Sequence, residues 1–409
     1  MEAIIERCCG LDVHQETVVA CVLIGGPDER PRREIRSFQT VVRDLVAMRE
    51  WLLELGCTHV AMESTGVYWK PVYAVLEDAF EVVVGNARHI RNVPGRKTDV
   101  KDSEWIADLL RHGLISKSIV PSKPLGELRD LLRYRRKLTQ ARSTERNRVL
   151  KQLETANIKL SSFVTDVFGV SGRSMLVALL DDTPATQIAE LARGRLRKKI
   201  PDLVLALEGR LQEHHRFMLK MQLTRLDEIE RHIGDLDSRI SQKLQPYAEE
   251  IALIDEVPGM DRINAARVVA EMGVDVTAFK GVAHLASWAG VSPGNNQSAG
   301  KRRGTKSRKG NVHLTTTLVE AAQAAVRKKG SYLRDKFHRL KARRGYKRAI
   351  MAIAHKILRS IYFMLLRRTH YKDLGANYLD QINHHRTAKN LKRRLELLGY
   401  KVSLEKLAA

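Results

Sequence analysis

The alternation of β-rich and helical runs in residues 1–110 constrains the fold more than any other feature of this chain. Three β-rich runs come first, and then a helical run, a short buried strand, a helix and another strand follow. Their approximate bounds are Ile4 to Val13, Thr17 to Ile24, Glu34 to Thr40, Val42 to Leu55, Thr58 to Glu63, Pro71 to Asp78 and Phe80 to Val84. The order β-β-β-α-β-α-β predicts an antiparallel hairpin that leads into a parallel α/β unit.

Four acidic residues stand where such a sheet would gather a ligand. Asp12 ends the first predicted strand and Glu63 the fourth, and ligands collect at the carboxyl ends of strands in sheets of this kind. Asp99 and Asp102 lie three residues apart, on one face of a helix that begins near Thr98. Each acid alone also fits an ordinary turn or the first turn of a helix. Together they predict a site for a hard divalent cation, Mg²⁺ or Mn²⁺.

The charge of the chain is concentrated towards its end. The net charge is +24, and residues 251–409 carry 32 basic against 11 acidic side chains, or +21. Residues 1–110 carry 13 basic and 18 acidic side chains, or −5. This distribution favours a polyanionic partner, bound by the C-terminal part.

The cysteines and the apolar runs indicate an intracellular protein. Cys8, Cys9, Cys21 and Cys57 form no C-x-x-C pair, so they predict buried thiols in a reducing cytosol and no zinc site. The longest apolar run near the end, Ile350 to Leu366, is interrupted by charged residues, and no secretory leader is recognisable. We therefore expect no membrane span and no membrane partner.

Residues 125–250 are expected to be helical. Leu219, Leu226, Ile233 and Ile240 repeat every seven residues, as in the seam of a coiled coil. The seam could pack within a helical hairpin of one chain or between protomers, and Gln222 interrupts it. Residues 254–273 resemble a helix-hairpin-helix, which would present backbone N–H groups to a phosphate. Asp261 replaces a usual glycine of that motif, so a purely structural turn is the alternative.

A second chemical stretch runs from Trp288 to Asn311. It is a Gly/Asn loop around Ser298, followed by a basic run that suits either a disordered loop or a DNA clamp. The region from Val312 to Leu366 is helical and amphipathic and contains a second basic cluster. The predicted nucleic-acid-binding residues of the two clusters are Lys301, Arg302, Arg303, Lys306, Arg308, Lys309, Arg343, Arg344, Lys347 and Arg348.

Several motifs resemble one family of transposases, insertion-sequence family one-ten. The segments GLDVHQETV, AMESTGVYW and GRKTDVKDSEWIADLLRHGLI resemble its RuvC-like, RNase H-type DEDD domain. The pattern G-x-x-P, S-x-G-K/R and K-G-N resembles the segment that carries its nucleophilic serine. The resemblance implies that Asp12, Glu63, Asp99 and Asp102 hold the metal and that Ser298 attacks DNA. Ala299 stands where the pattern commonly has glycine.

The resemblance also implies partners and intermediates. These are donor and target DNA, a structured guide RNA, 5′-phosphoserine links, a Holliday junction, and a homo-oligomer of two to four protomers in which Ser298 of one protomer meets the DEDD site of another. The expected location is the cytoplasm of a bacterium or archaeon, at the nucleoid. Two alternatives stay open within enzymes, a DNA invertase and a RuvC-like Holliday-junction endonuclease. Outside enzymes, a DNA-architectural protein would use the basic half but not the acids.

The predicted fold class is therefore an α/β RNase H-like N-terminal domain, a helical coiled-coil middle and a mainly α C-terminal domain with a helix-hairpin-helix. The predicted domain bounds are 1–122 for the catalytic domain, 123–250 for the coiled coil, 251–370 for the serine transposase domain and 371–409 for a basic helical tail.

Overall fold

The computed structural model describes residues 3–64, 66–87, 90, 102–294, 296–304, 307 and 309–405, with the backbone alone at 296–298, 302 and 303. The chain forms two compact units, Met1–Val120 and Pro121–Ala409. The three-part division that the sequence suggested for residues 123–409 falls within the second unit and stays a prediction.

The first unit is built on a five-stranded mixed sheet with the order β3-β2-β1-β4-β5. Its strands are β1 (Arg7–Val13), β2 (Thr17–Ile24), β3 (Arg32–Gln39), β4 (His59–Glu63) and β5 (Glu81–Gly85), and its helices are α1 (Val42–Glu54), α2 (Trp69–Leu76) and α3 (Asp102–Arg111). The pairs β1–β2 and β2–β3 are antiparallel, while β1–β4 and β4–β5 are parallel. The predicted hairpin followed by a parallel unit is thus confirmed, with bounds that shift by up to three residues.

The two faces of this sheet bury different helices, because successive side chains of a strand point to opposite sides. Cys9 and Leu11 of β1 join a core with residues of α1 and α2. Cys8 lies on the other face, in a core with residues of α3. Gly10 lies on this second face, where an added Cβ would stand 2.3 Å from both the Ala107 nitrogen and the Ser103 carbonyl oxygen. Glycine at position 10 therefore allows α3 to lie directly on β1.

All four cysteines are free thiols and all four are buried, as the sequence predicted. Burial raises the pKa of Cys8 to about 12, and it raises the pKa of Cys57 to about 12 as well. Burial also raises the pKa of Cys21, to about 11, and that of Cys9. Because the thiolate is the reactive form, we expect these buried thiols to react slowly near neutral pH.

The second unit begins with a long helical hairpin. Its arms are α4 (Lys123–Thr155) and α9 (Glu213–Lys243), and between them lie the short helices α5 (Leu160–Phe163), α6 (Val170–Ala178), α7 (Ala185–Glu190) and α8 (Ile200–Leu207). The two arms pack along each other. All four heptad residues, Leu219, Leu226, Ile233 and Ile240, are buried. The seam is thus packed within this chain, which is the intramolecular alternative for the coiled coil.

The rest of the second unit is mainly helical. It contains α10 (Ala248–Asp255), α11 (Arg262–Met272), α12 (Val282–Trp288), β6 (Asn296–Ser298), β7 (Lys301–Gly304), α13 (Val312–Ala325), α14 (Tyr332–Arg344), α15 (Tyr346–Arg367), α16 (Tyr378–Ile382) and α17 (His384–Leu397). By length and composition, α15 could cross a membrane, but most of its apolar side chains are packed in the core, with Ile353, Ile357 and Ile361 fully buried. It is therefore the core helix of this region, against which α13 and α14 pack.

Candidate catalytic and nucleic-acid-binding sites

Asp12 and Glu63 come together at one edge of the sheet. In the parallel pair β1–β4, Leu11 lies opposite Met62, so the next residues, Asp12 and Glu63, are neighbours at the carboxyl ends of both strands. By alternation, Asp12 shares the face of Gly10, and Glu63 shares the face of Ala61, which is in the α3 core. Both acids therefore lie on the side of the sheet that α3 covers.

Asp102 is brought towards the same edge by the start of α3. It is the first residue of that helix and directly precedes Ser103, whose carbonyl lies over Gly10. A helix N-terminus carries partial positive charge, which favours acids in its first turn. The structure thus brings Asp12, Glu63 and Asp102 to one edge of the sheet. Asp99, the fourth predicted ligand, lies outside the described residues.

Asp12 has a neighbour that the sequence reasoning did not single out. The Nε2 atom of His14 lies 3.1 Å from the Asp12 Oδ2 atom, and the Asp12 side chain is 28% exposed. His14 follows Asp12 by two residues in the turn between β1 and β2, and this spacing was the only available signal. An exposed imidazole at this distance can orient the carboxylate by a hydrogen bond.

The chemistry of the three carboxylates fits a hard cation, which prefers oxygen ligands. In the part of the chain that the structure describes, however, no group of three His, Cys, Asp or Glu side chains could hold a metal ion by itself. The acids that the structure describes therefore do not make a complete metal site, and the tetrad and its Mg²⁺ or Mn²⁺ stay a proposal.

The Ser298 stretch forms a short β-hairpin. Strands β6 and β7 pair antiparallel, with Ser298 opposite Lys301, and Ala299 and Gly300 make the turn with φ of 47° and 74°. Two successive left-handed residues are typical of a two-residue type I′ turn. The sequence predicted a loop here, disordered or clamping DNA, and missed the hairpin because alanine is rare in the first turn position. The turn places Ser298 at the last position of β6.

We expect Ala299→Gly to stabilise this hairpin by about 1 kcal/mol, because glycine adopts positive φ without the steric cost that alanine carries there. Protection of the amide hydrogens of residues 296–304 from exchange should rise accordingly. Gly300→Ala is the matched opposite change and should lower the protection. Its added Cβ would meet open space, so only the steric cost of a positive φ would act. Equal protection in Ala299→Gly and the wild type would contradict the turn.

The K-G-N motif anchors the segment that follows the hairpin. A Cβ at Gly310 would stand 2.3 Å from the Gly290 nitrogen, so this glycine permits close packing on the end of α12. Asn311 caps α13, because its Oδ1 accepts hydrogen bonds from the His313 and Leu314 nitrogens at 3.0 and 3.1 Å. Its Nδ2 donates to Glu271 Oε2 at 2.7 Å. These two residues fix the backbone after the hairpin.

Glu271 is the centre of a buried ionic network that sequence reasoning missed. It lies on α11, 3% exposed, and accepts two hydrogen bonds from Arg133 of α4, each of 2.7 Å. Burial acts to raise the pKa of Glu271, but the hydrogen bonds from Arg133 and Asn311 outweigh it, and the pKa is lowered overall. The network therefore ties α4, α11 and the start of α13 together through a carboxylate.

We expect Glu271→Gln to destabilise the second unit by about 2 to 3 kcal/mol, since a neutral amide cannot accept both Arg133 bonds and leaves that guanidinium unpaired. The melting temperature should fall, and the difference from the wild type should disappear in acid. The sign follows from the lowered pKa, because the stability is present above the unfolded-state pKa and is lost as pH falls through the folded-state pKa. Glu320→Gln, which removes the carboxylate of the more exposed pair with Arg136, is the control and should cost less.

The predicted helix-hairpin-helix consists of α10, the turn at Pro258 and Gly259, and α11. The Asp261 carboxylate caps α11 and accepts a hydrogen bond from the Asn264 nitrogen at 2.7 Å, so it occupies the place that a phosphate would take. Gly259 has φ of 85°, and a Cβ there would stand 2.1 Å from the Ala321 carbonyl oxygen of α13. These contacts support the structural alternative for the turn.

A large basic groove adjoins the hairpin. It has a volume of about 1150 Å³. One side is formed by Pro293 and Gly304, which flank the hairpin, and the other side by helices α14 and α15. We call it the hairpin groove. Its cationic lining consists of Lys336, Arg343, Arg344, Lys347, Arg348 and Lys356.

The hairpin groove accounts for part of the predicted nucleic-acid surface. Arg343, Arg344, Lys347 and Arg348 were predicted and line it, while Lys336 and Lys356 were missed because they lie outside the basic cluster around residues 341–348. Lys301 and Lys309 are exposed. Only the backbone is described at Arg302 and Arg303, and Lys306 and Arg308 lie outside the described residues.

A mixed sheet with acids at one edge, followed by helices with a basic groove, defines a protein that acts on the phosphates of nucleic acid. Comparison with known proteins narrows this class. Residues 9–158 match a family model described as transposase, of the DEDD type of IS110, and residues 251–338 match a model described as Transposase IS116/IS110/IS902 family. The two segments cover more than half of the chain, which therefore belongs to the IS110 family of transposases.

Two relatives agree with this assignment. A probable family 20 transposase of Pseudomonas aeruginosa is 26% identical over 334 residues, which are 80% of this chain and 89% of the relative. The transposase for insertion sequence element IS1111A of Coxiella burnetii is 30% identical over 190 residues, 44% of this chain and 51% of the relative. The protein is accordingly an enzyme of DNA transposition.

Proposed function

We propose that this transposase cuts and rejoins DNA by attack of Ser298 on a phosphodiester, assisted by Mg²⁺ or Mn²⁺ at Asp12, Glu63, Asp99 and Asp102. The observation that carries the proposal is the meeting of Asp12 and Glu63 at the ends of adjacent parallel strands, on the face where α3 begins at Asp102. This arrangement supports an RNase H-like domain for the first unit.

In this proposal the acids hold and orient the cation by their oxygens. When bound, it would neutralise the charge that develops on the scissile phosphate. His14 holds the Asp12 carboxylate in place through their 3.1 Å contact.

Ser298 supplies the covalent step. Its oxygen forms a bond to phosphorus while the bond from phosphorus to the 3′ oxygen breaks, and the serine proton passes to that leaving oxygen or to solvent. The product is a 5′-phosphoserine link, which conserves bond energy for rejoining. The tight turn after Ser298 and the anchored Gly310 and Asn311 support a fixed position for the serine backbone.

The family resemblance of the motifs supports three further parts of the proposal. A structured guide RNA would select donor and target DNA, exchange would pass through a Holliday junction, and two to four protomers would assemble in the cytoplasm. The acids and the serine would act on the same phosphodiester within that assembly.

Trapping tests the chemistry. The protein is incubated with Mg²⁺ and duplex DNA that carries the ends of its element, and the reaction is then denatured. We expect DNA joined covalently to the peptide that contains Ser298. Cleaved DNA with free ends and no adduct would instead favour the nuclease alternative, in which metal-bound water attacks.

We expect nucleic-acid binding to depend steeply on salt, because each phosphate neutralised on duplex DNA contributes about 0.9 to the slope of log affinity against log salt. Lys347→Gln with Arg348→Gln removes two charges from the hairpin groove and should lower the slope by about 1.8. Lys328→Gln with Lys329→Gln removes the same charge from an exposed loop outside the groove and should change it little. Equal slopes for both pairs would place the contact elsewhere.

A further inference from the structure

A second basic groove lies between α14 and the tail helices α16 and α17. It has a volume of about 510 Å³, and we call it the tail groove. Lys336, Arg339 and Arg343 of α14 face it from one side, and Arg386, Asn390 and Arg394 of α17 from the other. The tail helices follow residue 338, where the match to the second family model ends.

The tail is held against α14 by specific contacts. Arg339 donates hydrogen bonds to Asp335 at 2.8 Å and to Asp380 of α16. The Tyr332 nitrogen donates to Asp373 Oδ1 at 2.9 Å, and the rings of Tyr332 and Tyr378 meet edge to face at 5.7 Å. The hydrogen bond from Arg339 lowers the pKa of Asp380, so this pair stays charged near neutral pH. The two sides of the tail groove are therefore held together by specific side-chain contacts.

The remaining cations of the tail groove have no acidic partner among the residues that the structure describes. In the described part of the chain, Lys336, Arg343, Arg386 and Arg394 form no ion pair, whereas Arg339 is used in holding the tail. Four like charges around one groove repel each other, and a polyanion relieves that repulsion. The amide of Asn390 adds a neutral donor of the kind that also contacts phosphates.

One helix separates the two grooves. Lys336 and Arg343 of α14 line the hairpin groove as well as the tail groove, and Leu340 lies between them on the same ridge. A helix with its side chains is about 10 to 12 Å across, and the major groove of B-form DNA is about 12 Å wide. The major groove is therefore wide enough to take α14, with one phosphate backbone in each of the grooves that meet along its ridge.

We infer that the tail groove binds one strand of a DNA duplex whose other strand lies in the hairpin groove, with α14 along the major groove between them. The inference rests on the proposed function for the hairpin groove and adds the tail to the DNA-binding surface. A-form RNA has a deep, narrow major groove that does not admit a helix, so the geometry points to duplex DNA and away from duplex RNA.

The test compares two double variants of α17 that remove the same charge. Arg386→Gln with Arg394→Gln removes two of the cations that line the tail groove. Lys389→Gln with Arg393→Gln removes two cations from exposed positions that do not line it. With short duplex DNA of random sequence, the first should lower the salt slope by about 1.8 and the second should leave it near the wild-type value. With duplex RNA of the same sequence, neither should change the slope by that amount.

Three results would overturn the inference. They are equal slopes for the two variants on DNA, an equal fall on DNA and RNA, or a fall that Arg386→Lys with Arg394→Lys does not restore, since phosphate contact needs only the charge. Melting curves of both variants check that the tail stays docked through Arg339. The hairpin-groove pair Lys347→Gln with Arg348→Gln is measured alongside, because its failure would count against the proposed function, whereas failure of the α17 pair alone would refute only the tail groove.

Discussion

Ser298→Ala is expected to abolish both the covalent protein–DNA adduct and the recombinant product, while DNA binding stays at the wild-type level. The reason is that the serine oxygen forms the bond to phosphorus in the proposed reaction, and no other group of the hairpin can replace it. Binding should persist because the cations of the hairpin groove, and not the serine hydroxyl, neutralise the phosphates. The adduct is measured on a denaturing gel, and its position by peptide mapping.

Ser307→Ala is the matched control for that variant. Ser307 lies in the same segment and lines the hairpin groove, but it stands outside the two-stranded hairpin. It should form adduct at close to the wild-type rate. If Ser298→Ala cleaves DNA as fast as the wild type, the serine mechanism is wrong and hydrolysis by metal-bound water explains the cleavage.

Asp102→Asn should reduce strand cleavage by on the order of 100- to 1000-fold or more, with little change in stability or DNA binding. The substitution removes one ligand charge at nearly constant volume, so the loss would fall on the stabilisation of charge in the transition state. Removing the divalent cation with a chelator should have the same effect on the wild type, and added Mg²⁺ or Mn²⁺ should restore activity.

Glu104→Gln provides the control on the same helical turn. Glu104 is also an acid of the first turn of α3, but its carboxylate pairs with Arg33 of β3 at 2.8 Å. It should retain most of the cleavage activity. If Asp102→Asn and Glu104→Gln lose activity to the same extent, the loss reflects the general charge of the helix start and the tetrad is refuted.

The acidic edge of the first unit could be anticipated from sequence because its determinants are local. Short apolar runs predict β1 and β4, and parallel pairing brings the residues that end both strands to one edge. That rule predicts Asp12 and Glu63 at the same edge of the sheet, and the β1–β4 register makes them neighbours there. The helical spacing after Asp102 likewise located α3.

The parts that were missed depend on contacts that no short window of sequence contains. Glu271 and Arg133 are 138 residues apart, and each alone looks like an ordinary helix-surface charge. The hairpin at Ser298 contradicts local preference, since alanine occupies a left-handed position that glycine or asparagine usually fills. The sequence alone leaves open whether the turn before α11 binds phosphate or is purely structural. The hydrogen bond that Asp261 accepts from the Asn264 nitrogen supports the structural alternative.

The four buried cysteines of the first unit should take up little label when the native protein is treated with a thiol reagent. With pKa values raised by burial, they will react slowly with maleimides at neutral pH, whereas a cysteine introduced on an exposed surface will react readily. Lys309→Cys after the hairpin or Lys389→Cys on α17 would each carry a single fluorophore without removal of any native cysteine. Movement of the serine hairpin and of the tail during a DNA-joining reaction can thus be followed in real time on an otherwise unaltered transposase.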